Sequence, residues 1–361
     1  MRGPGRAIRD RGMLSGRESR FHKKLEGGKL RCTLCPHNCV LPEGGRGRCK
    51  VRGNEGGSLS LPFYGYISAL AMDPVEKKPL YHFRPGSLVL SAGFSGCNLR
   101  CPFCQNWHIS QRTPAAESPG EGRGRVIEAK ELIALALESG SAQIAYTYSE
   151  PLVHAEYLLE AMTLAREAGL ANILVSNGTV SDGAAKAILS LTDAVNVDLK
   201  SFSPETYAKI LGGDLDTVLA FITEAHALGV HTELTTLIVT DLNDHLDELE
   251  RAASFIAGIS PSIPWHLSAY HPDYRWNAPP TDKGLLAEAA RLGKQLLDFV
   301  YTGNVPGGDF SDTVCPYCGK TLIRRGARRV DPSGLLLPGK AGDRAAGYCA
   351  SCGKKADFIR L

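Results

Sequence analysis

From about residue 86 onward, short apolar runs alternate with amphipathic stretches. The runs LVLSAGF (88–94), QIAYTY (143–148), ILVSN (173–177), AVNVDLK (194–200), TELTTLIVT (232–240) and WHLSAY (265–270) are rich in β-branched and aromatic residues. Near-continuous apolar character of this kind predicts the strands of a parallel sheet covered on both faces. Helical periodicity lies between them. Residues 128–138 carry Leu132, Ile133, Ala136 and Leu137 on one face, and 151–168 open on Pro151 and close before Gly169. Residues 216–228 close before Gly229, 244–257 follow Asn243 as a cap, and 282–298 form the last helix. Proline at a first helical position and glycine just past the end agree with known helix boundaries. Repeated strand–helix alternation predicts an α/β fold, either an open or partial barrel or a doubly wound sheet. In both, function gathers at the carboxyl ends of the strands, where Glu150, Asn177, Asp198 and Lys200 fall.

The flanks break this pattern. Residues 1–27 read as a disordered basic extension and 28–60 as a Cys- and Gly-rich metal-binding segment. The periodic core runs over 61–308 and a second cysteine-rich segment over 309–361. A length of 361 residues suffices for one large core with appendages. The net charge of +3 is too small to argue for nucleic acid or an anionic membrane as partner. No stretch approaches the roughly 20 apolar residues of a membrane helix. The first residues have arginines but no apolar h-region, so they are not read as a secretory signal; a transit peptide is the less favoured alternative.

Eleven cysteines fall in three groups: Cys32, Cys35, Cys39 and Cys49; Cys97, Cys101 and Cys104; and Cys315, Cys318, Cys349 and Cys352. Their short spacings favour metal over disulfides, and buried structural thiols would not cluster in this way. The Cys-x3-Cys-x2-Cys loop directly after the first predicted strand suits an iron–sulfur cluster with one iron left open to a small molecule. CPYCG (315–319) and CASCG (349–353) suit a closed tetrahedral site for Zn, the preferred reading, or for a rubredoxin-like Fe acting as a one-electron relay. The first group suits Zn or an auxiliary cluster, with His37 as a substitute ligand or a turn residue.

The cysteine loop within a repeated β/α chain resembles the radical SAM superfamily. The chain is similar, more narrowly, to glycyl-radical-enzyme activases of the pyruvate formate-lyase type, and within these to AmmeMemoRadiSam radical SAM proteins. The stretches carrying the likeness are CTLCPHNCVLPEGGRGRC (32–49), DPVEKKPLYHF (73–83), GCNLRCPFCQNWHIS (96–110), YTYSEP (146–151), PWHLSAYHP (264–272) and GNVPG (303–307). Together they span roughly residues 28–355.

The resemblance implies a partial (β/α)6 barrel. It implies a 4Fe–4S cluster on Cys97, Cys101 and Cys104 whose open iron chelates S-adenosylmethionine. Reductive cleavage to a 5′-deoxyadenosyl radical would follow, and hydrogen abstraction from a protein glycine or another C–H bond. YTYSEP aligns with the motif that meets the methionine ammonium group; Tyr148 and Ser149 replace the usual glycine pair and Glu150 is retained. Asn177 matches a ribose-contacting strand end, with Val175 where an acid is common. Asp198 and Lys200 match positions that hold the cofactor zwitterion, and as alternate residues they share a strand face. The alternative for them is a surface ion pair. His266 matches a histidine near the adenosyl ribose, the alternative being a hydrogen-bonded core histidine. Asn106 either turns toward the cofactor or caps the next turn; Glu233 and Thr235 share a face lining the barrel. The implied partners are a reductant such as flavodoxin or ferredoxin, a protein substrate, and Memo-like proteins. An oxygen-sensitive cluster implies a reducing cytoplasm. The competing function is a non-catalytic iron–sulfur or zinc protein that transfers electrons or scaffolds partners; it leaves Asn177, Asp198, Lys200 and His266 unexplained.

Overall fold

The computed structural model describes residues 20–111, 124–305, 310–326, 329–336 and 347–361. Eight strands form one sheet in chain order: β1 (Ala69–Pro74), β2 (Leu88–Gly93), β3 (Gln143–Thr147), β4 (Ala171–Ser176), β5 (Ala194–Asp198), β6 (His231–Ile238), β7 (Trp265–Ala269) and β8 (Val300–Gly303). β1 runs antiparallel to β2, and every later pairing is parallel. The connecting helices are α1 (Ala129–Glu138), α2 (Ala155–Glu167), α3 (Asp182–Leu189), α4 (Leu215–Ala227), α5 (Leu246–Ile259) and α6 (Lys283–Gly293).

Which face the helices cover separates the two candidate architectures. Leu90, Ile144, Leu174, Val197, Leu234, Trp265 and Val300 share one core with Leu132, Leu158, Ile188, Phe221, Ile256 and Leu286, which represent all six helices. The intervening strand residues Val89, Ala145, Ile173 and Ala194 instead meet Val75, Leu80 and Phe83. Because strand side chains alternate faces, the helices line one face only. That is the partial (β/α)6 barrel, with no helix on the inner side.

The inner side is filled by the segment 75–83, and one carboxylate anchors it. Glu233 on β6 is fully buried and accepts from the Tyr81 N–H (3.0 Å), the His82 N–H (2.7 Å), His231 Nε2 (3.0 Å) and His266 Nε2 (2.7 Å). Burial alone would raise its pKa, but the two histidines hold it well below the usual carboxylate range.

Several boundaries differ from the sequence pattern. α5 is not capped by Asn243: the buried Asn243 side chain accepts from the Val239 N–H and donates to the Lys200 and Leu237 carbonyls. His245 occupies the cap position. α6 stops at Gly293, which lies against the Trp265 ring, and its chain goes on as turns. Residues 1–19 of the expected extension lie outside the described residues. His22–Lys24, however, pair with Leu30–Cys32 around Gly27 and Gly28, both at positive φ, so the cysteine-rich segment begins before residue 28.

The last cysteines lie in or beside two small three-stranded sheets, one of strands 313–314, 321–325 and 330–331, the other of strands 335–336, 347–349 and 355–356. This unit docks on the amino ends of the barrel strands. Phe358 packs on Phe299 at 4.6 Å, the Arg360 N–H donates to the His82 carbonyl, and Arg325 lies 4.2 Å over the Tyr81 ring. No helix among the described residues is long and apolar enough to cross a membrane.

Candidate functional site

β2 delivers the chain to the Cys97–Cys104 loop at the carboxyl end of the sheet. The turn into it requires Gly96: φ is +87°, and a Cβ there would lie 2.7 Å from the Cys49 carbonyl oxygen. Each outer thiol of the triad has a polar neighbour. Cys97 Sγ accepts from the Leu99 N–H (3.3 Å) and from Asn177 Nδ2 (3.6 Å), and Cys104 Sγ lies 3.2 Å from Ser110 Oγ. Burial, then Glu150, then the neighbouring thiols push the Cys97 thiol well up. Burial pushes Cys101 to about 12, opposed by Lys200 and assisted by Cys104 and Asp198. Two buried thiols that resist ionisation, with a third cysteine on the same short loop, are stable as thiolates only around a cation. The loop therefore fits an iron–sulfur cluster.

The ends of β3, β4 and β5 close round this loop. Glu150, fully buried, caps the short turn Pro151–His154 by accepting from the Leu152 N–H. Its carboxylate also accepts from Ser176 Oγ and from the Asn177 N–H, both at 2.8 Å. Burial raises its pKa to about 7 against these hydrogen bonds. Glu150 thus ties β3 to β4 and aims Asn177 at Cys97. At the end of β5, Lys200 Nζ lies 2.9 Å from Asp198 Oδ2, and both side chains keep some exposure, 20% and 35%. Burial would lower the Lys200 pKa; Asp198 and Cys101 outweigh it and raise it.

Tyr148 stands at φ +71°, a conformation that a glycine takes without strain. Its ring crosses Gly93, its hydroxyl donates to Asp73, and Lys78 Nζ sits 4.3 Å over its face. Ser149 Oγ donates to the Phe94 carbonyl. Both side chains are turned onto β1 and β2, leaving their backbone at the rim. His266 is not grouped with the triad: its Nε2 is engaged by Glu233, its ring stacks on Tyr301 at 5.2 Å, and it lies on the inner face beside the plug. Asn106 occupies the cap position before the short helix Trp107–Ser110 but makes no side-chain cap hydrogen bond.

The sequence reading missed Asn98, Asp73 and Lys78. Asn98 holds the cysteine loop to β4 by donating to the Thr179 carbonyl and accepting from Asn177. Its place inside the cysteine motif was the available signal. Asp73 and Lys78 form a buried ion pair at 2.8 Å, which DPVEKKP carried without any periodicity to mark it.

The four last cysteines converge: their sulfurs lie within 4.8 Å of one another, and Cys315–Cys352 and Cys318–Cys349 are each 3.7 Å apart. Tetrahedral coordination with metal–sulfur bonds of about 2.3 Å sets neighbouring sulfurs about 3.8 Å apart. Cys32, Cys35, Cys39 and Cys49 also lie together: burial raises the Cys35 pKa to about 12, and each of the other three raises it further. His37 Nε2 donates to the Asn98 carbonyl, 2.8 Å away, so that nitrogen is directed at the triad loop.

A one-faced β/α barrel with a Cys-x3-Cys-x2-Cys loop beyond its first parallel strand defines a radical SAM protein. Residues 93–256 match the Radical SAM superfamily. Over 346 residues the chain is 38% identical to the uncharacterized protein MJ0808 of Methanocaldococcus jannaschii, covering 95% of this chain and 99% of that one. It is 25% identical over 187 residues to the pyruvate formate-lyase-activating enzyme of Clostridium pasteurianum, covering 49% of this chain and 73% of that one. Among solved structures, a radical SAM methyltransferase from Sphaerobacter thermophilus aligns over 66% of this chain and 71% of its own at 14% identity, with a TM-score of 0.47. The chain belongs to the radical SAM superfamily. Membership implies a 4Fe–4S cluster and S-adenosylmethionine as cofactors.

Proposed function

We propose that the protein abstracts a hydrogen atom from a substrate C–H bond, with Cys97, Cys101 and Cys104 holding the 4Fe–4S cluster and S-adenosylmethionine filling its open iron. The observation that carries this reading is the Asp198–Lys200 pair, which lies within electrostatic range of Cys101 and keeps partial exposure. When bound, the cluster supplies the electron that cleaves the cofactor to the 5′-deoxyadenosyl radical.

The chain's residues bind and orient. Lys200 receives the cofactor carboxylate, and Asp198 accepts from its ammonium or a hydroxyl group. Asn177 steadies Cys97, and Glu150 fixes the strand ends that bring Asn177 there. The Tyr148–Ser149 backbone borders the cofactor in place of the family's glycine pair. His266 serves by positioning, through Glu233.

The relative from Clostridium pasteurianum supports an activase-like substrate, a glycine of a partner protein; another C–H bond is the alternative. A one-electron donor of the flavodoxin or ferredoxin class is required. The C-terminal cysteines hold a structural Zn. They sit beyond the amino ends of the strands, so a six-residue strand of about 20 Å separates them from the triad.

Anaerobic reconstitution with iron and sulfide, then dithionite and S-adenosylmethionine, tests the function. 5′-Deoxyadenosine is expected, and its absence from cluster-loaded protein would sink the enzyme reading.

A further inference from the structure

We propose that Cys32, Cys35, Cys39 and Cys49 hold a second four-iron cluster, seated directly against the Cys97–Cys104 loop. Sulfur spacing makes the first argument. Cys315, Cys318, Cys349 and Cys352 stand at the distance of a single tetrahedral ion, and no other such group occurs among the described residues. The triad, which by family takes a four-iron cluster, forms no such group, and neither do the N-terminal four. The N-terminal four nevertheless converge: the Cys32 N–H donates to the Cys39 carbonyl, and Cys35 lies within electrostatic range of the other three. A four-iron cluster places each thiolate on a different iron and spreads the sulfurs beyond single-ion spacing.

The surroundings make the second argument. All four thiols are free, Cys32 and Cys49 are buried, and the Arg48 N–H donates to Cys39 Sγ at 3.5 Å. The Arg48 guanidinium lies within electrostatic range of Cys35 and Cys39, which favours a cluster that gains negative charge on reduction. Four cysteines close the site, so it offers no open iron and transfers electrons only.

Contact with the main site makes the third. His37, between Cys35 and Cys39, donates to the Asn98 carbonyl, next to Cys97. The Cys49 carbonyl lies against Gly96 so closely that a Cβ there would collide with it. The path from one ligand set to the other therefore crosses single residues. A four-iron cluster held by Cys32, Cys35, Cys39 and Cys49 would supply a one-electron relay: reduced by a one-electron donor, it would return to its oxidised state on giving that electron to the group held by the triad, with no bond or proton changing place. This transfer rests on the radical SAM reading; the existence of the cluster does not.

Acid-labile sulfide counts clusters whatever ion the last cysteines carry. The reconstituted full chain is expected to hold about eight sulfides. The Cys97→Ala/Cys101→Ala/Cys104→Ala variant is expected to keep about four, with a dithionite-reduced EPR signal that S-adenosylmethionine leaves unchanged. Cys35→Ser in the otherwise unaltered chain should remove that signal and keep the one that S-adenosylmethionine perturbs. About four sulfides in the full chain with none in the triple variant, together with an added zinc ion, would overturn the proposal. In the fully reduced chain the two EPR signals should broaden each other, and a spectrum equal to the sum of the separate signals would refute the contact. If Cys35→Ser alone abolishes all sulfide, the four residues are not an independent site and the proposal falls.

Discussion

The two ends of the same sheet treat buried polar groups in opposite ways. At the amino end, Glu233 receives four donors, His82 lies 2.6 Å from the Tyr301 hydroxyl, and Arg325 and Arg360 bond the plug backbone. At the carboxyl end, three thiols crowd together, and Lys200 and Asp198 have each other and an open side. The amino end pairs most of its buried polar groups within itself, with His82 Nδ1 and Arg325 Nε left over, and so behaves as a structural polar network. The carboxyl end leaves bonding capacity over, which is what a ligand site requires. Charge alone does not separate the two ends; the exposure of the charged pair does, since Glu233 is fully buried and Lys200 and Asp198 are not.

The strongest way to break this contrast is at the thiols. Cys101→Ala should lower 5′-deoxyadenosine below detection and strip iron from the main site while the chain stays folded by circular dichroism. Collapse of the fold instead would make the loop structural. The mirror change is Glu233→Ala, which leaves His231, His266 and two backbone N–H groups unpaired. A loss of about 3–5 kcal/mol, measured by denaturant titration, is expected. A loss near zero with a large fall in cofactor binding would move His266 back to the active site.

Lys200→Ala is a smaller change. Removing one charged hydrogen bond should weaken S-adenosylmethionine binding about tenfold to a hundredfold in equilibrium dialysis, with iron content unchanged. Loss of the cluster there would refute the assignment.

The contrast also has a pH signature. Burial holds His82 down to about 3, with Glu233 opposing and Arg325, His231 and His266 assisting. A base depressed in the folded state stabilises above its ordinary value of 6.5 and loses that contribution as pH falls toward 3. The denaturation midpoint should therefore fall across that window, and fall less steeply in His82→Gln. Equal slopes for the two proteins would remove His82 from the network.

Six of the seven parallel strands were legible because a strand buried on both faces is mainly apolar, as in LVLSAG and ILVS; β8, only four residues long, was missed. β1 was not legible: it is an edge strand, and Leu70 and Met72 are exposed. α3 was missed because its eight residues make barely two turns of pattern. At the site, the triad and the Asp198–Lys200 pair were readable because their spacing is local. Glu233 was not, since its plug donors Tyr81 and His82 come from about 150 positions away. Asn243 looked like a cap because the sequence shows a polar residue before a helix but not the buried carbonyls it reaches.

The docking of Arg360 beside Phe83 bears on how the chain folds. This bridge joins residues separated by about three-quarters of the sequence, and Arg325 adds a second closure on Tyr81, 244 positions away. Closing so long a loop is entropically slow, and contacts of high sequence separation form late. The plug backbone must therefore wait, uncovered, while the strands and helices assemble by local steps. Refolding followed by hydrogen exchange should show the 75–84 amides protected last, in the same phase as residues 321–325 and 355–360.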